Sequence, residues 1–548
     1  MARSHRIHLV CALAASVTMS AAVSTPPGEA ATKQPRASVH VIVQAATSEL
    51  GREAVEAAGG HVSRELPIVA GVAADVPRAA MSQLRHTPGV RAVTADAEMT
   101  VQGTVAPGSP DVDPVSVYRE VVRADDLAAS GATGEGVTVA LLDTGVADTP
   151  DLAGRVLDVT GPLGLPAECV NLSGEPTCAD DYGHGTFMAG IIAGSGASSA
   201  GAYTGVAPDA DLVSIKVAAA DGSADVSNVL AGIQWAVSFR DLYDIRVLNL
   251  SLGTDSTTSW KKDPLNFAVE QAWDAGIVVV VAASNRGPAS GTISKPGDDP
   301  YVITVGAVDD LYTVDIADDV LPDFSGRGPA PRNVAKPDVV APGAHIVSLR
   351  AVGSTIDGVG THIDGTYRQG SGTSMATAVV SGLAADIFSA KPTYNANRLK
   401  FTLTSTARPV ADPSINNVGK GMVDGYAAAF TAPTGRANKG LADALPLLSL
   451  NSSRGTVDVV LDDNNATVLI GNQTAQLQTV DPTFYTGVWT ETTWALSTWN
   501  LFPWYSTSWY GDNWEGDNWE GCSWNGVPDD TCSYGAETSG SAWYGAWD

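Results

Sequence analysis

Five short apolar runs recur between Val137 and Val308: VTVALLD, DLVSIKV, RVLNLSLG, GIVVVVAAS and YVITVGAV. A strand with one wet face alternates apolar and polar residues, and these runs do not, so each is expected to be covered on both faces. Helical patterns such as ADVSNVLAGIQWAVSF and DPLNFAVEQAWDAG lie between them. Strands alternating with helices imply an α/β domain built on a mainly parallel twisted sheet flanked by helices. We expect this domain over residues 117–432. In such sheets functional groups gather at the carboxyl ends of the strands, and those ends deserve the closest reading.

The flanks suggest four more regions. Residues 1–31 open with Arg3 and Arg6, continue with an apolar stretch too short and too diluted by Ser and Thr for a membrane span, and end in small residues. That is the layout of a secretory signal peptide. Residues 38–102 read as strand, helix, strand, strand, helix, strand, a small α+β unit, and 103–116 as an exposed linker rich in Gly and Pro. Residues 433–548 form a C-terminal region of β and irregular character. It begins with a hairpin pattern, GTVDVVLDDNNATVLIG, and carries a tryptophan at every fifth position from Trp489 to Trp524. A period of five matches neither helix nor strand, so each repeat needs its own turn, which the Gly, Asp and Asn residues supply.

Export bears on the cysteines. Cys11 falls in the signal peptide, and the remaining four form two close pairs, Cys169/Cys178 and Cys522/Cys532. Local pairing is the simplest of the three connectivities. With 60 acidic against 32 basic residues, the net charge of −28 argues against nucleic acid as a partner.

Three positions carry candidate chemistry: Asp143 at the end of VALLD, His184 between Gly183 and Gly185, and Ser374 where GSGTSMATA hands over to an apolar helix. Singly, each has an ordinary structural reading as a cap or a packed side chain. Together they are the three groups a hydroxyl nucleophile needs: a base to take its proton and a carboxylate to hold that base. The glycines beside His184 are expected to leave its ring accessible. Asn285, just past GIVVVVAAS, is placed to donate its amide to a developing oxyanion alongside the Ser374 backbone N–H.

The motifs DTG, HGTFMAG and GTSMATA resemble those of the subtilisin-type serine peptidases. The resemblance implies a secreted endopeptidase acting on proteins or peptides through Asp143, His184 and Ser374, with Asn285 in the oxyanion hole and no catalytic cofactor. It also implies that Ser251, Leu252 and Gly253, with Ala282, Ala283 and Ser284, line the primary specificity pocket, and that Ser294 sits near its base. An apolar or medium-sized residue before the scissile bond is the matching preference. The N-terminal unit resembles the family's inhibitory pro-domain, which would be cut away in the linker after about Met99. Phe187 and Ala378 depart from the family's His and Pro, and Ser284 from its glycine. Asp151 matches a position that often binds structural calcium, but the facing loop GSGASSAGAYTG has few carboxylates, so a solvated turn is the preferred reading there.

Two rivals stand beside this reading. One is a catalytically silent scaffold, against which the complete set of four groups argues. The other is a surface-attachment or carbohydrate-binding protein in which the tryptophan repeat, stacking on cell-wall polysaccharide, is the main business and the peptidase is secondary.

Overall fold

The apolar runs become strands of one seven-stranded sheet in a computed structural model of the chain. Residues 38–101 and 116–441 are described, apart from 161–165, 257–259, 261–262, 332–333, 360, 413 and 440. The backbone of Val457–Asp462, Asn465–Ile470 and Gln473–Leu477 is described as well. The signal-peptide segment, the linker, the tryptophan repeat and the Cys522/Cys532 pair lie outside the described residues.

The sheet runs Val339–Pro342, Ile303–Val308, Val278–Ala282, Ile245–Leu250, Thr138–Asp143, Asp211–Lys216, Val170–Asn171. Every neighbouring pair is parallel. Thr138–Asp143 and Val278–Ala282 are buried along their whole length, as strands covered on both faces must be. The chain leaves Thr138–Asp143 towards Asp211–Lys216 and then crosses to Ile245–Leu250 on the other side. That reversal puts the crevice of the sheet between the ends of the first and third of these strands, next to Asp143 and Ser251. The helix Thr373–Ala390 packs across Ile245–Leu250, Val278–Ala282 and Ile303–Val308, and it is buried from Thr373 to Phe388. Its length and hydropathy would suit a bilayer, yet it forms the centre of the core.

Helix His184–Ala193 crosses beside it, buried throughout. Phe187, where the family carries histidine, is 1 % exposed, and a Cβ added to Gly370 would lie 3.1 Å from its ring and 2.9 Å from Met375 Cε. The aromatic ring fills space that the glycine leaves open, so the departure is a packing solution. Ala378 is likewise buried in the helix interface.

The N-terminal unit is a four-stranded antiparallel sheet ordered His61–Leu66, Gly71–Pro77, Ser38–Ala45, Val90–Ala95. Alternation along its strands splits the side chains between two cores. Val41, Val43, Val72 and Ala74 pack with Val55 and Leu84 of its own helices, whereas Ile42, Ala73 and Leu66 join the large core of the α/β domain. The second face meets helices Val226–Phe239 and Pro264–Asp274. Polar contacts flank that apolar seam: Arg64 Nη2 donates to Asn228 Oδ1 at 2.9 Å and the Ile68 N–H to Gln234 Oε1 at 3.0 Å. Asp96 Oδ1 accepts from the Ser227 N–H at 2.9 Å, satisfying the open end of helix Val226–Phe239.

Cys169 and Cys178 are bonded to each other. The hairpin expected at the start of the C-terminal region is present, with Asp462 opposite Asn465, and Gln473–Leu477 adds a third strand. Asp151 corrects the sequence reading, because it is 1 % exposed and not in a solvated turn. Its carboxylate accepts from Tyr367 Oη at 2.9 Å and from the Ser198 N–H at 3.0 Å. The loop that lacks carboxylates supplies a backbone donor instead, which satisfies the buried acid without a cation.

Phe187→Ala should lower unfolding free energy by about 3–5 kcal/mol, the range for emptying a buried aromatic site. Denaturant unfolding followed by intrinsic fluorescence measures it.

Candidate active site

Asp143 is the last residue of its strand, and its Oδ1 accepts from the Thr144 N–H at 2.8 Å. His184 Nδ1 lies 2.8 Å from the same oxygen. A carboxylate can only accept, so the hydrogen belongs on Nδ1 and Nε2 is the basic face of the ring. Nε2 is buried and has no hydrogen-bond partner among the described residues.

The histidine is held by a second carboxyl that sequence reading missed. Asp180 accepts from Thr144 Oγ1 at 2.7 Å, the Gly183 N–H at 2.7 Å, the Thr186 N–H at 2.8 Å and Thr186 Oγ1 at 2.6 Å. Burial pushes its pKa up while these donors pull it down, and burial wins. Asp180 thereby ties the turn after the first strand to both sides of His184. The only sequence signal was its place in DDYGHG, four residues before the histidine.

The flanking glycines have a different purpose from the one expected. His184 is 2 % exposed, so they do not leave the ring accessible in this structure. A Cβ on Gly185 would sit 2.0 Å from the Gly145 carbonyl oxygen, and Gly183 has φ +104°. Close approach of the histidine turn to the DTG turn requires glycine at the first, and left-handed backbone favours it at the second.

Ser374 is the second residue of helix Thr373–Ala390, where the open N–H groups and the dipole favour negative charge. Its Oγ donates to the Ser251 carbonyl at 3.2 Å, not to His184. A buried chain continues behind it: Ser381 Oγ donates to Asn249 Oδ1 at 2.9 Å, Asn249 Nδ2 to Ser251 Oγ at 3.0 Å, and Ser251 Oγ to the Ser374 carbonyl at 3.4 Å. Asn285 Oδ1 accepts from the Thr373 N–H at 2.9 Å and Thr373 Oγ1 at 3.0 Å, which anchors the amide oxygen one residue from Ser374. Asp143 and His184 are thus in contact, Asn285 is locked beside Ser374, and the serine hydroxyl rests on Ser251.

The residues expected to line the specificity pocket are all buried: Ser251, Leu252, Gly253, Ala282, Ala283, Ser284 and Ser294. The Ser294 N–H donates to the Ala283 carbonyl at 3.0 Å. Ser284 adopts φ +127°, a conformation suited to the family's glycine, and its hydroxyl donates to the Thr292 carbonyl. That bond holds the side chain against the neighbouring loop.

Between these groups lies a strand from the N-terminal unit. Glu98–Val101 pairs antiparallel with Ser223–Asp225 on one side and with Leu252–Gly253 on the other. Met99 is buried, Val101 is half-buried, and Glu98 and Thr100 face out. The strand is added between two edges, with alternate side chains turned inward.

Comparison with known proteins agrees with this geometry. The subtilase family model matches residues 134–425, and a peptidase-inhibitor domain model matches residues 18–96. Serine protease AprX of Bacillus subtilis is 42 % identical over 313 residues, covering 56 % of this chain and 68 % of that protein. The thermostable alkaline protease of Halalkalibacterium halodurans is 31 % identical, covering 66 % and 83 % respectively. Subtilisin amylosacchariticus of Bacillus subtilis subsp. amylosacchariticus is 30 % identical, covering 78 % and 100 %. The chain belongs to the subtilase family and is a serine-type endopeptidase with an inhibitor-like N-terminal domain.

Proposed function

We propose that the protein is a secreted, self-processing zymogen in which Asp143, His184 and Ser374 form the catalytic triad. The strand Glu98–Val101 between the two cleft edges carries this reading: the chain already lies in its own substrate slot. Residues 38–102 act as an intramolecular inhibitor, residues 117–432 as the catalytic domain. The paired strand extends through Val101, so the bond cut on maturation lies beyond it rather than directly after Met99.

In the reaction, the Ser374 hydroxyl leaves the Ser251 carbonyl, gives its proton to His184 Nε2 and attacks the peptide carbonyl. Asp143 keeps the ring oriented and stabilises its cation. The oxyanion is met by the Ser374 backbone N–H and the Asn285 amide nitrogen. His184 then protonates the leaving amine, and water, activated by the same nitrogen, releases the acyl group from Ser374. The pocket around Ser294, built from small neutral side chains, favours an apolar or medium-sized residue before the cut. Residues 1–31 direct export, and the tryptophan repeat, eight tryptophans at a period of five, retains the enzyme on cell-wall polysaccharide.

Wild-type protein should be labelled by a serine-directed fluorophosphonate and lose its N-terminal domain, while Ser374→Ala should do neither; labelling that survives the substitution would end the triad assignment. Asp180→Asn places an amide donor against the donors it now accepts, so kcat/KM should fall by about tenfold to a hundredfold as His184 shifts, seen in peptide hydrolysis. Full-length protein should sediment with peptidoglycan, and a chain ending at residue 441 should stay in solution; equal sedimentation would remove the wall-binding role.

A further inference from the structure

A buried ionic hub lies behind the primary pocket, and nothing in the proposed chemistry uses it. Lys295 is 3 % exposed, and its Nζ donates to Asp298 Oδ2 at 2.7 Å and Asn266 Oδ1 at 3.2 Å, with Asp263 Oδ2 at 3.9 Å. Asn266 Nδ2 donates onward to Asp298 Oδ1 at 2.9 Å and Asp299 Oδ2 at 3.1 Å. Asp263 caps helix Pro264–Asp274 through the Leu265 N–H, and Asp299 takes the Tyr301 N–H at 2.9 Å.

We propose that Lys295 is a positioning residue for substrate selection: its hub sets the depth of the primary pocket, and so the size of the side chain accepted before the scissile bond. The proposal rests on the pocket assignment above. Residues 294 and 295 join the two pocket walls. Lys295 exchanges both backbone hydrogen bonds with Thr254, at 3.1 and 3.2 Å, directly after the edge strand Leu252–Gly253. Ser294, one residue earlier, is bonded to Ala283 of the opposite wall. The floor segment is therefore sutured on both sides by its backbone and held from behind by the Lys295 side chain.

A buried ion pair is rarely more stabilising than apolar residues of the same volume. Three aspartates and one lysine are a costly way to fill a core, and Asp263 and Asp299 show the cost, burial raising both carboxyls, Asp299 to about 6. What such a hub does provide is directionality: each bond has one geometry, so segment 294–295 has one position relative to helix Pro264–Asp274. Removing the cation leaves Asp298 and Asp263 facing each other unpaired, and their repulsion moves the segment that carries Ser294.

The test uses the matured enzyme with its C-terminal region retained and paired peptide substrates that differ only in the residue before the cut, Phe or Ala. In Lys295→Met the Phe:Ala ratio of kcat/KM should change by about tenfold, the scale of pocket-size discrimination, with the change in KM. Labelling of Ser374 by a small fluorophosphonate should stay within about twofold, because the nucleophile is untouched. Asp298→Asn, which keeps volume and shape, should move the ratio in the same direction by less. Arg408→Met breaks a contact with Asp424 at 3.6 Å away from the pocket and should lower stability with the ratio unchanged. An unchanged ratio in Lys295→Met, or in Asp298→Asn should Lys295→Met not fold, overturns the proposal. Loss of labelling in the wild type would instead refute the peptidase site itself.

Discussion

The catalytic half of this molecule depends on a parallel sheet sealed on both faces. Strands such as Thr138–Asp143 and Val278–Ala282 are wholly buried, and a backbone so enclosed can present polar groups only where the strands end. Asp143 and Ser251 sit at such ends on either side of the topological reversal. The helix carrying Ser374 crosses beneath them with its N-terminus at the same edge. Burial along the strands and chemistry at their termini are two consequences of one constraint.

At that edge, precision comes from buried polar groups that find several donors each. Asp180 takes four hydrogen bonds, and Asn285 takes two from Thr373. Burying such oxygens without partners would cost a few kcal/mol apiece; with these donors they leave His184 and the start of the Ser374 helix little freedom. The Ser374 hydroxyl resting on the Ser251 carbonyl belongs with the occupied cleft, since Ser251 directly precedes the edge Leu252–Gly253 that holds Glu98–Val101. The inhibitor-like domain uses the physics of a substrate, adding a strand to an edge, and it supplements that with an apolar face placing Ile42, Leu66 and Ala73 in the shared core.

Much of this was legible beforehand. Five strands of the large sheet, its helices, the small N-terminal domain, the pairing of Asp143 with His184 and the place of Asn285 beside the start of the Ser374 helix all followed from apolar periodicity, short motifs and a family resemblance. Strand Val339–Pro342 was missed, being four residues long and bounded by Pro337 and Pro342. Asp151 was misread because a lone Asp after Pro resembles a surface turn, and only the approach of Tyr367, more than two hundred residues away, shows it to be buried. Asp180 and Lys295 escaped notice because part of their setting comes from other segments, Thr144 for the one and Asn266 for the other.

The sequence by itself determined the class of chain and which residues are expected to react, because hydrophobic period and motif chemistry are local properties. Tertiary structure decided what holds those groups: the carboxyl behind the histidine, the carbonyl that receives the serine hydroxyl, the strand lying in the cleft and the ionic hub behind the pocket. Each includes a contact between segments distant in the chain, Thr144 with Asp180, Ser251 with Ser374, Leu252 with Val101 and Asn266 with Lys295, and its energy depends on separations of an ångström or less that no local pattern encodes.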